Sequence, residues 1–205
     1  IKNIDDNRIS IYQVNNKGII AKSRNLGIHH SNGTYIAFLD SDDLWTLDKL
    51  EKSLSTLQLG YDIVYHDLFI ISKLPPVKNI FNMLSTRNLH QPVFNDLLLN
   101  GNALNNSSVV VRKKLIKDIH GFSEEKELVG SEDYDCWLRL SKNTNRFCRI
   151  DSSMGYYWDG GGNMTSPKRS ISNALYLQSL YALELESNNI IYTDWMFYVL
   201  ARSYY

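Results

Sequence analysis

Very little is in excess in this chain, and its shortages bound what it can do. Lys and Arg number 22 and Asp and Glu also number 22 in 205 residues, so the formal net charge is zero. No overall field draws in nucleic acid or an anionic membrane, and an anionic ligand must be held by local groups. Cysteine is limited to Cys136 and Cys148, at no metal-ligand spacing. With no secretory leader before them, the expectation is reduced thiols in a cytoplasmic protein, with a bridge between the two as the alternative. Long apolar runs are missing too: "WMFYVLA" near the end has seven residues, against the ~18 of a membrane span. The protein is therefore expected to be soluble, or at most peripheral on the inner face of a membrane. There is no initiator Met, so the sequence reads as a fragment or as part of a longer chain.

What is present alternates strand-like and helix-like patterns. "RISIYQV" (8–14) predicts a strand, "NNKG" a turn, 19–29 a short helix and 35–39 a buried strand. Thr46 is placed to cap a helix whose Leu47, Leu50, Leu54 and Leu57 share one face, and 61–71 reads as another strand. This order predicts an α/β unit around a largely parallel sheet, with ligands beyond the carboxyl ends of its strands. Residues 72–104 read as an irregular loop with a short helix near 93–99, and 107–113 as a strand. "KLIKDIHGF" reads as a helix ending at Gly121, and "GSEDYDCWLRLSK" as a helix capped by Ser131. "MGYYWDGGGNMTS" suggests a Gly-rich turn after a short strand, and 170–205 two aromatic-rich helices.

The chemistry concentrates in "YIAFLDSDDLW". An apolar strand delivers Asp40, Asp42 and Asp43 within four positions, and carboxylates so crowded raise one another's pKa unless a cation joins them. Asp40 and Asp42 form a D-x-D, whose hard oxygens suit Mg²⁺ or Mn²⁺ that also binds substrate phosphates. A calcium loop of EF-hand type is excluded, because Trp45 stands where that loop needs Gly. A phosphatase with Asp40 as nucleophile stands as a second enzyme reading, although the downstream Lys and paired Asp of that class are not evident.

The blocks "NKGIIAKSRNLGIHHSNGTYIAFLDSDDLWTLDKLEKSL", "HGFSEE" and "SEDYDCWLRL" resemble, in order, the motifs of the family 2 inverting glycosyltransferases. The resemblance implies a GT-A fold, a Rossmann-like α/β sandwich, over residues 1–165, with a helical extension over 166–205. It implies transfer of a hexosyl or N-acetylhexosaminyl group, as in polysaccharide biosynthesis. The donor would be a nucleotide-diphosphate sugar, UDP-sugar foremost, and the acceptor a hydroxyl of a glycan or lipid-linked saccharide. It places Asn16, Arg24, Asp40, Asp42 and Asp43 at the donor, Asp42 on Mn²⁺ or Mg²⁺, Asp133 as catalytic base and Glu132 beside the acceptor; Tyr65, His66 and Asp67, read as ending a strand on the ligand side, put Asp67 at the donor sugar as well. Residue types alone give the last two a plainer role, since acidic side chains in a first helical turn complement the dipole.

Three departures qualify the resemblance. The family's opening strands that cradle the base do not occur here, so roughly one βαβ unit of ~30 residues is expected to be missing from the front. No His follows His120, so the late His of many relatives is absent and Asp159 is the expected substitute in the metal shell. His120 itself stands where relatives usually carry Gly. Trp45 and Trp137 are expected in the core. For the C-terminal aromatics Trp195, Phe197 and Tyr198 the expectation is core packing or a homodimer interface, with docking on a membrane as the alternative. A non-catalytic nucleotide-sugar-binding or scaffold subunit is the rival of another class.

Overall fold

A computed structural model of the chain describes residues 5–73, 82–160 and 166–204. In chain order the elements are α1 (Ile20–His30), β1 (Tyr35–Ala37), β2 (Leu44–Trp45), α2 (Lys49–Gln58), β3 (Ile63–Ile71), β4 (Asn82–Leu84) and α3 (Val93–Asn100). There follow β5 (Val110–Arg112), α4 (Lys113–Asp118), α5 (Glu132–Ser141), β6 (Phe147–Trp158), α6 (Pro167–Leu180), α7 (Ala182–Ser187) and α8 (Asp194–Tyr204). The α/β architecture agrees with the sequence, and helices cover both faces of one sheet.

The sheet runs β1-β5-β3-β6-β2, with β4 also on β3. It is mixed, not largely parallel: β3 and β6 pair in parallel, and the other described pairings are antiparallel. The inferred βαβ logic survives in direction only. β1 and β3 each pair antiparallel with β5 and so point the same way, and β5, which comes much later in the chain, is inserted between them. Alternation sets the layers: Ile63, Tyr65 and Val111 join a large core with α1, α3, α5 and the C-terminal helices, while Val64 and Val110 meet Leu57 of α2 on the opposite face. Trp137 is fully buried and Leu177, Tyr181, Leu185 and Met196 belong to the same large core.

Several expectations need correction. Residues 8–14 form no strand, because among the described residues no strand pairs with them, and Ile9, Ile11, Tyr12 and Val14 are exposed. Only the last leucine of the α2 stripe is buried: Leu50 and Leu54, and Leu47 just before the helix, are exposed, while Leu57 is buried on one face with Lys49 and Ser53. Ser131 does not cap α5 with its side chain; its Oγ accepts from Asn173 Nδ2 at 2.9 Å instead. β6 is a twelve-residue strand in which Gly155 is paired, not part of a turn. The C-terminal region has three helices where two were read. The prolines of "LPPV" and the glycines that follow Gly160 lie outside the described residues. The two cysteines are unpaired.

Candidate active site

The acidic turn sits where β1 leaves the sheet. Asp40 N–H donates to Ser107 Oγ at 3.1 Å, and Asp43 N–H donates back to the Asp40 carbonyl at 3.2 Å, which closes the turn. Asp43 is buried and its Oδ1 accepts from Trp158 N–H at 3.0 Å, tying the turn to the end of β6. Burial raises the Asp43 carboxyl above its ordinary value, against bonds from Ser107 and Trp158 that pull it down. Asp42 is exposed, and among the described residues its carboxylate has no hydrogen-bond or ion-pair partner.

Arg24, on α1, joins this turn to the second acidic motif. Its guanidinium donates to both oxygens of Asp40 at 2.8 and 3.1 Å and to Glu132 Oε1 at 2.5 Å. The other Glu132 oxygen accepts from Gly130 N–H at 2.6 Å. The Arg24 side chain is 12% exposed and that of Glu132 6%, and Phe122 lies under the guanidinium at 5.4 Å. Burial works against the Arg24 charge, but Asp40 and Glu132 outweigh it and hold the group above its ordinary value. Asp133, next along α5, has its pKa pushed up to about 6 by burial and by the neighbouring Glu132 charge, with Arg24 and the Tyr134 N–H opposing. Two carboxylates from different parts of the chain thus share one cation, and a third beside them is a weak acid poised near neutrality.

Asn25 supports this arrangement from below. Its side chain accepts from Phe122 N–H and donates to the Phe122 carbonyl, both at 2.9 Å, so α1 is bolted to the loop that carries Phe122. Gly121 is required there: its φ is +76°, and a Cβ would lie 2.4 Å from Asn25 Oδ1. His120 beside it also adopts positive φ, +61°, a conformation that glycine takes at less cost.

A cleft of about 800 Å³ runs between α1 and β1, with Arg24, Tyr35, Phe38, Asp40 and Asp42 on its walls. That is the size of a small-molecule site. Neither Glu132 nor Asp133 lines it; Glu132 is joined to its wall by the Arg24 guanidinium.

Three sequence candidates are placed differently. Asp67 was read as ending a strand, but β3 continues to Ile71, so it lies mid-strand. It is buried, with Thr86 N–H and Oγ1 at 2.7 and 2.6 Å and Arg149 at 2.6 Å as partners, and the donor role gains nothing from this geometry. Asn16 accepts from Gly18 N–H and donates to Ser23 Oγ, which shapes the turn before α1. Arg24, expected at the donor diphosphate, has Asp40 and Glu132 as its protein partners. Asp159 is exposed just past β6. Burial, followed by the charges of Asp43, Asp159, Asp42 and Asp40, raises the Tyr157 phenol, which locates Asp159 in the neighbourhood of the acidic turn.

Sequence reading missed Asn106, Ser107, Phe122 and Tyr157. Asn106 is buried and donates to Asp40 Oδ1 at 3.1 Å, while its own Oδ1 has no partner among the described residues. The only signal was the polar run "NALNNSS" before an apolar strand.

Among the described residues no three His, Cys, Asp or Glu side chains gather to hold a metal by themselves. The donor chemistry still suits Mg²⁺ or Mn²⁺, which take one or two carboxylates and fill their shell with water and phosphate oxygens. Asp42 is unengaged, whereas Asp40 already neutralises Arg24.

The profile described as "Glycosyltransferase like family 2" matches residues 1–175. The chain belongs to this family. It is 28% identical over 133 residues to the Escherichia coli UDP-Glc:alpha-D-GlcNAc-diphosphoundecaprenol beta-1,3-glucosyltransferase WfgD, covering 61% of this chain and 45% of that protein. It is 28% identical over 148 residues to the amylovoran biosynthesis glycosyltransferase AmsB of Erwinia amylovora, covering 67% and 46%. S. aureus TarS superimposes with a TM-score of 0.55 at 20% identity, over 82% of this chain and 28% of TarS, which establishes a shared fold. The chain thus spans less than half the length of these relatives, and 9–10% of three Rickettsia glycosyltransferases. Family membership sets aside the phosphatase reading of Asp40.

Proposed function

We propose that this chain carries the donor and acceptor sides of an inverting glycosyltransferase that moves a sugar from a UDP-sugar to a hydroxyl of a glycan or lipid-linked saccharide. The observation that carries the reading is Arg24 bridging Asp40 and Glu132, which brings the two acidic motifs of the family into one site. Asp133 takes the proton from the acceptor hydroxyl as that oxygen attacks the anomeric carbon. The bond from that carbon to the diphosphate breaks on the opposite face, and the configuration inverts. A base with pKa near 6 is mostly ionised at neutral pH yet still accepts a proton; such help is worth on the order of 10² to 10⁴ in rate. Arg24 and Glu132 hold the acceptor side in place, and Asp40 and Asn106 face the donor. Asp42, with Asp159 as a second carboxylate, would hold Mn²⁺ or Mg²⁺, which would supply positive charge for the departing diphosphate.

The printed name of WfgD, with a UDP-sugar donor and a lipid diphosphate acceptor, supports UDP and a lipid-linked acceptor, and that of AmsB supports polysaccharide biosynthesis. No helix of the described residues is long and apolar enough to cross a membrane. Exposed Phe197 and Tyr198 on α8 suit peripheral contact with a membrane that carries such an acceptor.

The test is calorimetric titration with UDP and GDP, with and without Mn²⁺, on the wild type and on Asp42→Asn. Mn²⁺-dependent UDP binding that Asp42→Asn abolishes is expected. Retained UDP affinity in Asp42→Asn overturns the metal role. Failure of the wild type to bind either nucleotide overturns the donor reading and leaves the scaffold alternative.

A further inference from the structure

The buried side of α2 poses a problem that packing does not solve. Rotating this helix by about one residue's angle, ~100°, would turn Leu50 and Leu54 inward and release Lys49 to solvent, while taking Leu57 off the core face. The chain does the reverse: Leu47, Leu50 and Leu54 are exposed and Lys49 is fully buried. Among the described residues Lys49 Nζ has no hydrogen-bond partner, and neither do buried Ser53 Oγ and His66 Nε2. Burying an ammonium without a partner is costly, and here burial pulls the Lys49 pKa down to about 7. A helix that gives up leucine burial to hold such a group has a use for it.

The contact that Lys49 does make leads to the acidic turn. Its Nζ lies 3.9 Å from the centroid of the Trp45 ring. A cation over an indole face is attracted by the ring quadrupole and draws electron density from the ring, which makes the indole N–H a better donor. That N–H donates to the Ser107 carbonyl at 2.7 Å, and Ser107 Oγ accepts from the Asp40 amide at 3.1 Å. On its other side Trp45 is paired with Gly155, where a Cβ would lie 2.7 Å from the Leu44 carbonyl and 3.5 Å from the Trp45 ring. The indole therefore lies against both β6 and Lys49.

We propose that Lys49 is a positioning residue for the acidic turn: its ammonium fixes the Trp45 indole on Ser107, and Ser107 in turn sets Asp40. The consequence for sugar transfer rests on the donor reading above; the coupling from Lys49 to Asp40 does not.

The test reads both levels on the whole chain. In Lys49→Met, which keeps an unbranched stem without the charge, hydrogen exchange at the Trp45 indole N–H is expected to accelerate at least tenfold and the Asp40 amide resonance to move. Amides of Ile63 and Val64 in the central strand keep their protection, and Mn²⁺–UDP affinity falls at least fivefold. Lys49→Arg, which restores a cation, recovers the indole protection. With the N–H already removed in Trp45→Phe, adding Lys49→Met produces no further shift at Asp40. An unchanged indole and Asp40 amide in Lys49→Met overturns the proposal, and so does loss of protection spread evenly over the central strands, which marks a merely structural role. A wild type that binds no Mn²⁺–UDP overturns the donor reading, while the indole and amide results still decide the role of Lys49.

Discussion

The charges around Asp133 can be altered one at a time, with opposite expected effects. In the wild type its carboxyl is expected to titrate at about 6, against an ordinary value of 3.8. Glu132 beside it raises that value and Arg24 lowers it. Glu132→Gln removes the like charge but keeps an oxygen for the Gly130 N–H, so the Asp133 midpoint falls. Arg24→Met removes the opposing charge, so the midpoint rises. A charge at this range shifts a carboxyl by ~1 unit or more, and each unit corresponds to about 1.4 kcal/mol. Moving the midpoint from 6 to ~7 takes the ionised fraction at pH 7 from roughly nine-tenths to roughly half. The assay is carboxyl ¹³C NMR titration of Asp-labelled protein, which needs neither donor nor acceptor. A wild-type midpoint at the ordinary carboxylate value, or shifts of the same sign in both variants, refutes the assignment of these charges to one site.

Stability carries the same signature with a definite sign. Because folding raises the Asp133 pKa, its contribution to stability is full below about pH 4 and lost as pH rises through about 6. Asp133→Asn is therefore expected to gain about 3 kcal/mol over wild type at pH 8 and nothing at pH 3, measured by urea unfolding, while sugar transfer falls by ~10² or more. Gly121→Ala meets both positive φ and Asn25 Oδ1 at 2.4 Å; it should cost about 2 kcal/mol and lower nucleotide affinity, read by thermal unfolding and calorimetry. His120→Gly relieves a left-handed residue and should raise stability by about 1 kcal/mol in the same unfolding assay. Leu50→Ser, on the exposed face of α2, should change stability by less than ~0.5 kcal/mol, where a buried leucine would cost several times more.

Local patterns carried much of this molecule. An apolar strand that runs into Asp40, Asp42 and Asp43 is written in adjacent residues, and so are helices α1 and α5 and the motifs that name the family. These features need no partner, because strand character, helix periodicity and a cluster of carboxylates are properties of a few consecutive side chains. Whatever depended on a partner was decided by the fold. Residues 8–14 have strand composition but no described strand to pair with, and Asp67 seemed to end a strand that continues to Ile71. β5 enters between β1 and β3 and makes the sheet mixed, a choice of neighbours made about 70 residues downstream of β1. The leucine stripe of α2 reads as a buried face, yet the fold leaves Leu50 and Leu54 exposed and turns Lys49 inward, over the Trp45 ring. Arg24 reads from the sequence as a charge for a diphosphate; that it also joins Glu132, more than a hundred residues away, is visible only in the fold. Charge and periodicity along the chain thus determined which groups are available for chemistry, and only tertiary contact decided which of them face one another, because Coulomb forces and hydrogen bonds act over a few ångströms of space and not along the sequence.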